Sequence, residues 1–505
     1  MSLKDSLGSS EHSMQPRSCV LGIDVGTEGC KAIAFDLEGK SLARSYQRYS
    51  VDIPQPSWAE QDPLSWWRAV KKCVANVVNQ IHDREQILCL AVSGQSPVLI
   101  PVDKHGNALL NALIWMDRRA VKQSETIEKK TGINDDASMN LPKAMWIKEN
   151  RPQIFEKTYK FLQASDFIEF KLTDNFVTDW LNAGTFHFDH RKHNWPTELL
   201  DVLDVPSEKL PTVVPPARII GTVTGSAARE TGLKKGTPVV AGGIDAYLAI
   251  LGVNALTVGE TCEITGSSTC LMVPSEREVS DPKNRVQSER FPLLPNLWMT
   301  WGTLSSTGAS YKWFREIIDP EISYYELDSI AEKAPLGSNN LIFLPYLMGE
   351  RSPIWDPYAR GVFIGLSLSH HREHMARAIL EGCAFGIRHN LEIIEKSGAK
   401  VNKLRSCGGA ARSKFFGQIK ADVTGKIVVV PVETEASALG AAILAAVGIR
   451  AYKNIREAAR NMTHAECLIE PREDLFKHYS SSFQMYKSAY ISLKKYFKRY
   501  YSHGN

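Results

Sequence analysis

The amino-acid sequence predicts an α/β protein made of two similar domains. Two observations carry that expectation. An apolar strand, a small-residue turn and a second strand occur at residues 20–35 and again at 260–273, nearly half a chain apart. In both halves, apolar runs of strand length lead into Gly- or Ser-bearing loops and then into helically spaced stretches, the alternation that builds helix-covered sheets. The length of 505 residues accommodates two or three domains of ordinary size, and the recurrence favours two, with a boundary near residues 252–256.

Residues 19–24 are an apolar run ending on Asp24, residues 25–29 a turn, and residues 31–36 a second strand closed by a turn at 37–40. Residues 63–81 carry helical spacing. Residues 87–92 are a short buried strand opening into Ser93, Gly94, Gln95, Ser96 and Pro97, and open α/β sheets place ligands at such strand ends. The apolar run 238–241 breaks at Gly242, Gly243, Ile244 and Asp245 and continues as a helix over 246–251. After the second hairpin come strands near 341–346 and 361–368, a long helix from about 374 to 396, and a strand at 403–407 entering Gly408, Gly409 and Ala410. A strand–helix pair at 427–430 and 436–447 follows. Tyr486, Tyr490, Leu493, Phe497 and Tyr500 share one helical face among lysines. Packing of that stripe on the protein itself is favoured over a membrane or partner contact.

Composition excludes several classes. Hydrophobic residues at 43% and charged residues at 23% disfavour disorder, collagen-like repeats or coiled coil as a description of the whole chain. Sixty Lys and Arg against 56 Asp and Glu leave a formal charge of +4, so the balance favours neither nucleic acid nor an anionic membrane. Nine cysteines, set mostly singly and without CxxC or zinc spacing, predict no disulfide framework. Residues 1–17 are polar and Ser-rich, and no window reaches about 18 unbroken apolar residues, so a cytoplasmic protein is expected.

The pattern from Asp24 to Gly29 puts a carboxylate at a strand end beside a turn whose glycines expose backbone N–H groups. Such a turn holds phosphate oxygens while the carboxylate holds the accompanying Mg2+; it is equally an ordinary hairpin turn. The second turn, Gly266, Ser267 and Ser268, strengthens the phosphate reading, because two turns facing across a cleft grip one polyphosphate from both sides. Gly408, Gly409 and Ala410 let a flat ring or ribose approach the backbone. Neither GxGxxG nor GxxxxGK[ST] occurs, which disfavours dinucleotide and Walker sites. Asp245 opens a helix at the inferred domain junction, where it serves either as a base toward a substrate hydroxyl or as a helix cap. Trp115, followed by Met116, Asp117, Arg118 and Arg119, suits a polyhydroxylated ligand together with Gln95. His370, His371 and His374 mark a helix start rather than a metal site.

These residues resemble the FGGY family of carbohydrate kinases, within the actin, hexokinase and Hsp70-like superfamily, over residues 18 to about 450. The markers are Asp24 to Gly29; Trp58 to Pro63 with Trp66 and Trp67; Trp115 to Arg118; Gly242 to Asp245; Gly361 to Leu366 running on to Glu381 and Gly382; and Gly408 to Ser413. The resemblance implies two RNase H-like domains flanking an ATP and sugar cleft. A flexible leader (1–17) precedes an N-terminal domain (18–253) that carries the sugar, the first phosphate loop and the base; a nucleotide-binding domain (254–495) and a tail (496–505) follow. Asp245 matches the catalytic base, and Asp24 with Asp245 the metal-associated carboxylates. Gly26, Thr27, Glu28, Gly29, Gly266, Ser267 and Ser268 match the phosphate loops, and Gly308, Lys312, Gly409, Ala410 and Ser413 the rest of the nucleotide site. Gln95, Ser96, Trp115, Asp117, Arg118, Asp245 and Ala246 match the sugar site.

The implied cofactors are ATP and Mg2+, the implied partners a small sugar and at most a second copy of the chain, with neither nucleic acid nor membrane. Within the family the likeness is greatest to xylulose kinases, which implies a pentulose; gluconate, ribulose and polyols are the alternatives. Two positions depart from that pattern: Ser96 and Pro97 stand where Met-His is usual, and Ala246 where Asn is usual. The alternative of an ATP-binding sensor without turnover is disfavoured by the intact Asp24, Asp245 and both turns.

Overall fold

The computed structural model describes residues 18–81 and 83–501, so the expected leader at 1–17 and the last residues of the expected tail, 502–505, lie outside the described residues. The first domain opens with an antiparallel meander, β1 (Cys19–Val25), β2 (Gly29–Asp36) and β3 (Ser41–Arg48). There follow helix α1 (Pro63–Ile81), strand β4 (Ile87–Gly94), helices α2 (Asn140–Asn150) and α3 (Ala164–Thr173), strand β5 (Pro238–Ile244) and helix α4 (Asp245–Gly252). The strands lie in the order β5-β4-β1-β2-β3, with Ile219–Thr222 as an antiparallel edge beside β5, and β1, β4 and β5 run parallel. Because helices cover both faces, all seven residues of β1 are buried, as its continuous apolar run requires. Leu21, Ile23 and Val25 join Trp66, Val70 and Cys73 of α1 in one core, and Val20 points to the other face.

The second domain repeats this wiring. Its strands are β6 (Gly259–Thr265), β7 (Thr269–Ser275) and β8 (Trp298–Leu304), then helices α5 (Thr307–Ile318) and α6 (Arg372–Lys396). Strand β9 (Val401–Cys407), helix α7 (Lys414–Thr424), strand β10 (Ile427–Pro431), and helices α8 (Ala436–Gly448) and α9 (Glu473–Tyr501) complete it. The order β8-β7-β6-β9-β10 is the first domain's order again, with edge strands Gln287–Arg290 and Ala465–Ile469. The protein is thus two mixed α/β domains of like wiring, as the recurring hairpin predicts. Helix α6 begins at Arg372, two residues before the expected start, because His371 accepts the capping position and its N–H donates to His374 Nδ1 at 3.1 Å.

One feature of the packing has no counterpart in the linear pattern. Helix α8 comes from the far end of the chain, yet it lies on the first sheet, where a Cβ on Gly22 would stand 1.9 Å from the Ala438 carbonyl. It also crosses α4 at backbone contact: a Cβ on Gly252 would meet the Ala436 carbonyl at 1.9 Å, and one on Gly440 the Leu248 carbonyl at 1.9 Å. Only residues without side chains permit such an approach. The α4–α8 pair is therefore sandwiched between the two sheets, in a core that draws Val20 and Phe35 from one and Met272 and Met299 from the other. Helix α9 buries Tyr479, Phe483, Tyr486, Tyr490 and Phe497 in the core that includes Phe385 of α6, while Tyr500 stays exposed. Among the described residues no helix is long and apolar enough to cross a membrane.

Candidate active site

The parallel strands set the site. Asp24 on β1 lies opposite Ser93 on β4, and Ser93 lies opposite Gly243 on β5, so Asp24 and Asp245 emerge at the same end of β1 and β5, the two strands that flank β4. Ser93 Oγ donates to Asp24 Oδ1 at 2.9 Å. Asp245 is the first residue of α4, and the cap position falls on Ile244; among the described residues the Asp245 carboxylate takes only the neighbouring Ala246 N–H, at 2.7 Å. Burial, reinforced by the charge of Asp24, pushes Asp245 up to about 7, against the opposing pull of the Ala246 N–H and Lys31. Burial also raises Asp24, countered by Lys31 and Ser93. Lys31 sits across from Asp24 on β2 and binds Glu435 at 2.5 Å.

The first turn is held from behind. Gly26 N–H closes on Gly29 O at 3.1 Å, leaving Gly26, Thr27 and Glu28 at the tip. Thr27 Oγ1 donates to Gln95 Oε1 at 3.2 Å and accepts Trp115 Nε1–H at 2.9 Å. Gln95 Nε2 donates to Gln61 Oε1 at 2.7 Å and Gly26 O at 3.3 Å, while Gln61 Nε2 reaches Thr27 O at 2.8 Å. Gln95 is thus buried and its amide engaged by the turn, and the Trp115 ring beside it is partly exposed.

The other residues expected at the sugar divide. Ser96 Oγ donates to Gln163 at 2.9 Å, and Ala246 is partly exposed next to Asp245. Asp117 is fully buried: its oxygens accept the Ala59 N–H at 2.7 Å and the Arg119 Nε and Nη2 hydrogens at 2.9 and 2.7 Å. Arg119 in turn stacks on Trp58 at 3.7 Å. Arg118 pairs with Asp136 at the surface. Asp117 and Arg118 are therefore occupied by protein partners rather than gathered with Asp245.

Lys143 is the residue the motif reading passes over. It is fully buried on α2, and its ammonium donates to the carbonyls of Pro97 at 3.1 Å, Leu113 at 3.2 Å and Ile114 at 2.9 Å. It thereby ties the loop holding Ser96 to the strand that ends before Trp115. Burial pulls it down to about 7, while three carbonyls match the three donors of the charged form. A lone lysine inside the apolar stretch 141–147 is the signal that marks it.

In the second domain, Gly266 N–H closes the turn on Ser268 O at 3.0 Å, and Ala309 N–H from α5 donates to Ser267 O at 2.9 Å. A Cβ on Gly308 would stand 2.1 Å from Gly266 O, so only glycine lets α5 start against the turn. Beneath it runs a buried polar chain. Lys420 Nζ on α7 donates to Glu263 Oε2 at 2.5 Å and Ser406 Oγ at 2.7 Å; Ser406 and Thr265 also donate to that carboxylate. Thr269 Oγ1 lies between Thr265 at 2.8 Å and Thr307 at 2.9 Å. Gly408, at φ +80°, leads into the 3-10 turn Gly409–Arg412. Ser413 then caps α7 through Phe416 N–H and donates to Asp328 at 2.6 Å. Lys312 is half exposed on α5, 3.9 Å from Glu316.

Among the described residues no cluster of three or more His, Cys, Asp or Glu is placed to hold a metal by protein groups alone. Asp24 and Asp245 do fit Mg2+ shared with phosphate oxygens: both offer hard oxygen ligands, and their mutual repulsion is relieved by a divalent cation.

Two like-wired domains, each turning a strand–turn–strand toward the end where a carboxylate pair stands, define a kinase of small molecules. The chain belongs to the FGGY family of carbohydrate kinases: the family's N-terminal domain matches residues 19–252 and its C-terminal domain residues 263–449. It is 29% identical over 485 residues to the xylulose kinase of Bacillus subtilis, covering 94% of this chain and 97% of that protein. It is 30% identical over 485 residues to the gluconokinase of the same organism, covering 92% and 93%. The crystal structure of ligand-bound xylulose kinase from Lactobacillus acidophilus superposes with a TM-score of 0.85 at 26% identity, covering 96% of this chain and 100% of that one. The protein is a carbohydrate kinase that transfers a phosphoryl group from ATP to a sugar.

Proposed function

We propose that this kinase phosphorylates the primary hydroxyl of a pentulose such as D-xylulose in the cytoplasm, with Asp245 as the general base. The observation that carries the reading is the Asp245 carboxyl, pushed up to about 7 at the end of β5 where the two domains meet. A base poised near neutrality takes the hydroxyl proton as the oxygen attacks the γ-phosphate in line. Backbone donors of the two turns, at Gly26–Gly29 and Gly266–Ser268, meet the phosphate oxygens, with Gly308, Gly409, Ala410 and Ser413 on the nucleotide side. Mg2+, held through Asp24 and Asp245, would supply charge neutralisation to the transferring phosphoryl group. Trp115 and Ser96, positioned by Thr27 and Lys143, present an apolar ring and a hydroxyl to the sugar.

A coupled ADP-release panel of D-xylulose, D- and L-ribulose, L-fuculose, glycerol and D-gluconate tests the assignment. The highest kcat/KM is expected with D-xylulose. The second reading is gluconate, which the comparable identity to a gluconokinase favours; highest turnover on D-gluconate would replace the first reading with it. The clamp role of Lys143 predicts that Lys143→Met raises the sugar KM by about tenfold with a smaller effect on the ATP KM, because misplacement of a positioning loop falls on the substrate it positions. Equal rises in both constants would sink that role.

A further inference from the structure

The two flanks of the cleft differ. On the β3 flank, Arg44 binds Glu433 at 2.8 Å and Arg412, beside the nucleotide-side glycines, binds Glu435 at 2.9 Å. On the opposite flank, the first turn of α4 meets the edge of the second sheet. Tyr247, two residues beyond Asp245, stacks on Phe291 at 6.0 Å and lies 5.0 Å from Trp301, both from the second domain. Its hydroxyl donates to Glu289 Oε1 on the edge strand Gln287–Arg290.

The register explains why Glu289 faces the first domain. It pairs with Met299, whose side chain lies in the core between the sheets, so Glu289 projects from that same face. Its side chain is open to solvent, yet the surrounding walls hold its carboxyl above the usual carboxylate range. The indole N–H of Trp301 reaches toward the same carboxylate and, with the Tyr247 hydroxyl, opposes that rise. Cys270 on β7 packs with Tyr247, Trp301 and Ala246 against one core, so apolar side chains run from beside the base toward Glu289. A sugar with its primary hydroxyl at Asp245 would extend along this wall, away from the nucleotide flank.

We infer that Glu289, held by Tyr247, is a specificity-determining residue that accepts hydroxyl hydrogens from the end of the sugar remote from the phosphorylated carbon and disfavours a carboxylate there. This rests on the sugar-kinase reading above with Asp245 as base. A carboxylate has lone pairs beyond those that Tyr247 and Trp301 face, and it takes hydroxyl donors strongly. A sugar acid brings a like charge instead, so the site selects neutral ketoses and polyols over aldonates.

The test compares kcat/KM for D-xylulose and D-gluconate in the wild type, Glu289→Gln, Glu289→Ala and Tyr247→Phe, with ATP KM and melting temperature measured alongside. Glu289→Gln keeps the shape and removes the charge. It is expected to lower the xylulose-to-gluconate ratio by about tenfold. Glu289→Ala is expected to raise the xylulose KM by about 10- to 100-fold, the loss of a hydrogen bond to a charged group, and to leave the ATP KM near wild type. Tyr247→Phe is expected to move the xylulose KM in the same direction by a smaller factor. An active wild type whose ratio is unchanged in both Glu289 variants would overturn the inference and leave the kinase reading standing, as would equal losses on both sugars accompanied by a lower melting temperature. Absence of turnover on any panel sugar would overturn both. Arg351, which donates to Leu304 O at 3.4 Å and reaches Cys270 electrostatically, is the rival group. A wild-type gluconate preference abolished by Arg351→Met would assign a substrate carboxylate to it and refute the role of Glu289.

Discussion

Asp245→Asn is expected to lower kcat for sugar phosphorylation by about 10²- to 10⁴-fold, the range of a positioned general base, while ATP binding persists. The asparagine keeps the size of the side chain and removes only its capacity to take a proton. Initial rates with saturating ATP and sugar check the loss; retention of more than about a tenth of wild-type kcat would remove Asp245 from the base role. The wild-type pH profile carries the same information. Since only the carboxylate is active and burial raises it to about 7 in the metal-free protein, kcat/KM for the sugar should rise with pH and level off by about pH 7, and at lower pH where Mg2+ at Asp24 and Asp245 favours the charged form. Asp24→Asn removes the like charge that helps raise Asp245, so the acid limb of its residual activity should move to lower pH.

The raised pKa also has a sign for stability. The folded state binds a proton on Asp245 over the range between the usual carboxylate value and about 7, where the unfolded chain has released it, so this group's contribution to stability falls as pH rises through that window. At pH 8 Asp245→Asn should therefore melt above the wild type, and at pH 4 the difference should shrink. Thermal melts at both pH values decide it. A carboxylate that destabilises its own fold is the trade expected of a residue serving as a base.

Lys420→Met has the second large expected effect, on stability: a loss of about 3–5 kcal/mol, because it leaves the buried carboxylate of Glu263 without its cation. Both side chains are almost wholly buried, 1% and 0% exposed, so solvent does not compensate the charge. Replacing the pair together, Lys420→Met with Glu263→Leu, should recover most of the loss, since an apolar pair of similar volume avoids desolvation of both ions. The pair also supports the second turn through Thr265, Thr269 and Thr307. The double variant is therefore expected to keep a raised ATP KM after its stability returns. Melting temperature and ATP KM for the single and double variants separate the two effects, and an ATP KM that recovers together with stability would reduce the chain to a packing role.

Much of the fold was legible because it is written in local periodicity. Strand β1 is apolar throughout, α1 has a clear helical spacing over exactly its observed span, and both hairpins carry small residues at their turns. The paired elements of the two halves reflect one repeated topology. Legibility failed where side-chain chemistry depends on distant partners. Trp115 to Arg118 looked uniformly suited to a sugar, yet Asp117 is consumed by Ala59 and Arg119 from within the fold, while Lys143 and Glu289 belong to no motif and gain meaning only from what surrounds them.

The sequence by itself determined the α/β class, the two-domain organisation, the strand-end placement of Asp24 and Asp245 and the kinase family, since hydrophobic period, turn chemistry and ordered motifs are local properties of the chain. Only the tertiary structure decided that α8 crosses α4 between the sheets, that burial, with Asp24 nearby, raises Asp245 toward neutrality, and that Tyr247 joins Glu289 across the domain boundary. The physical reason is the same in each case: burial, charge interaction and backbone contact depend on distances through space, and residues 24, 245, 289 and 440 are separated by too much chain for any local pattern to state them.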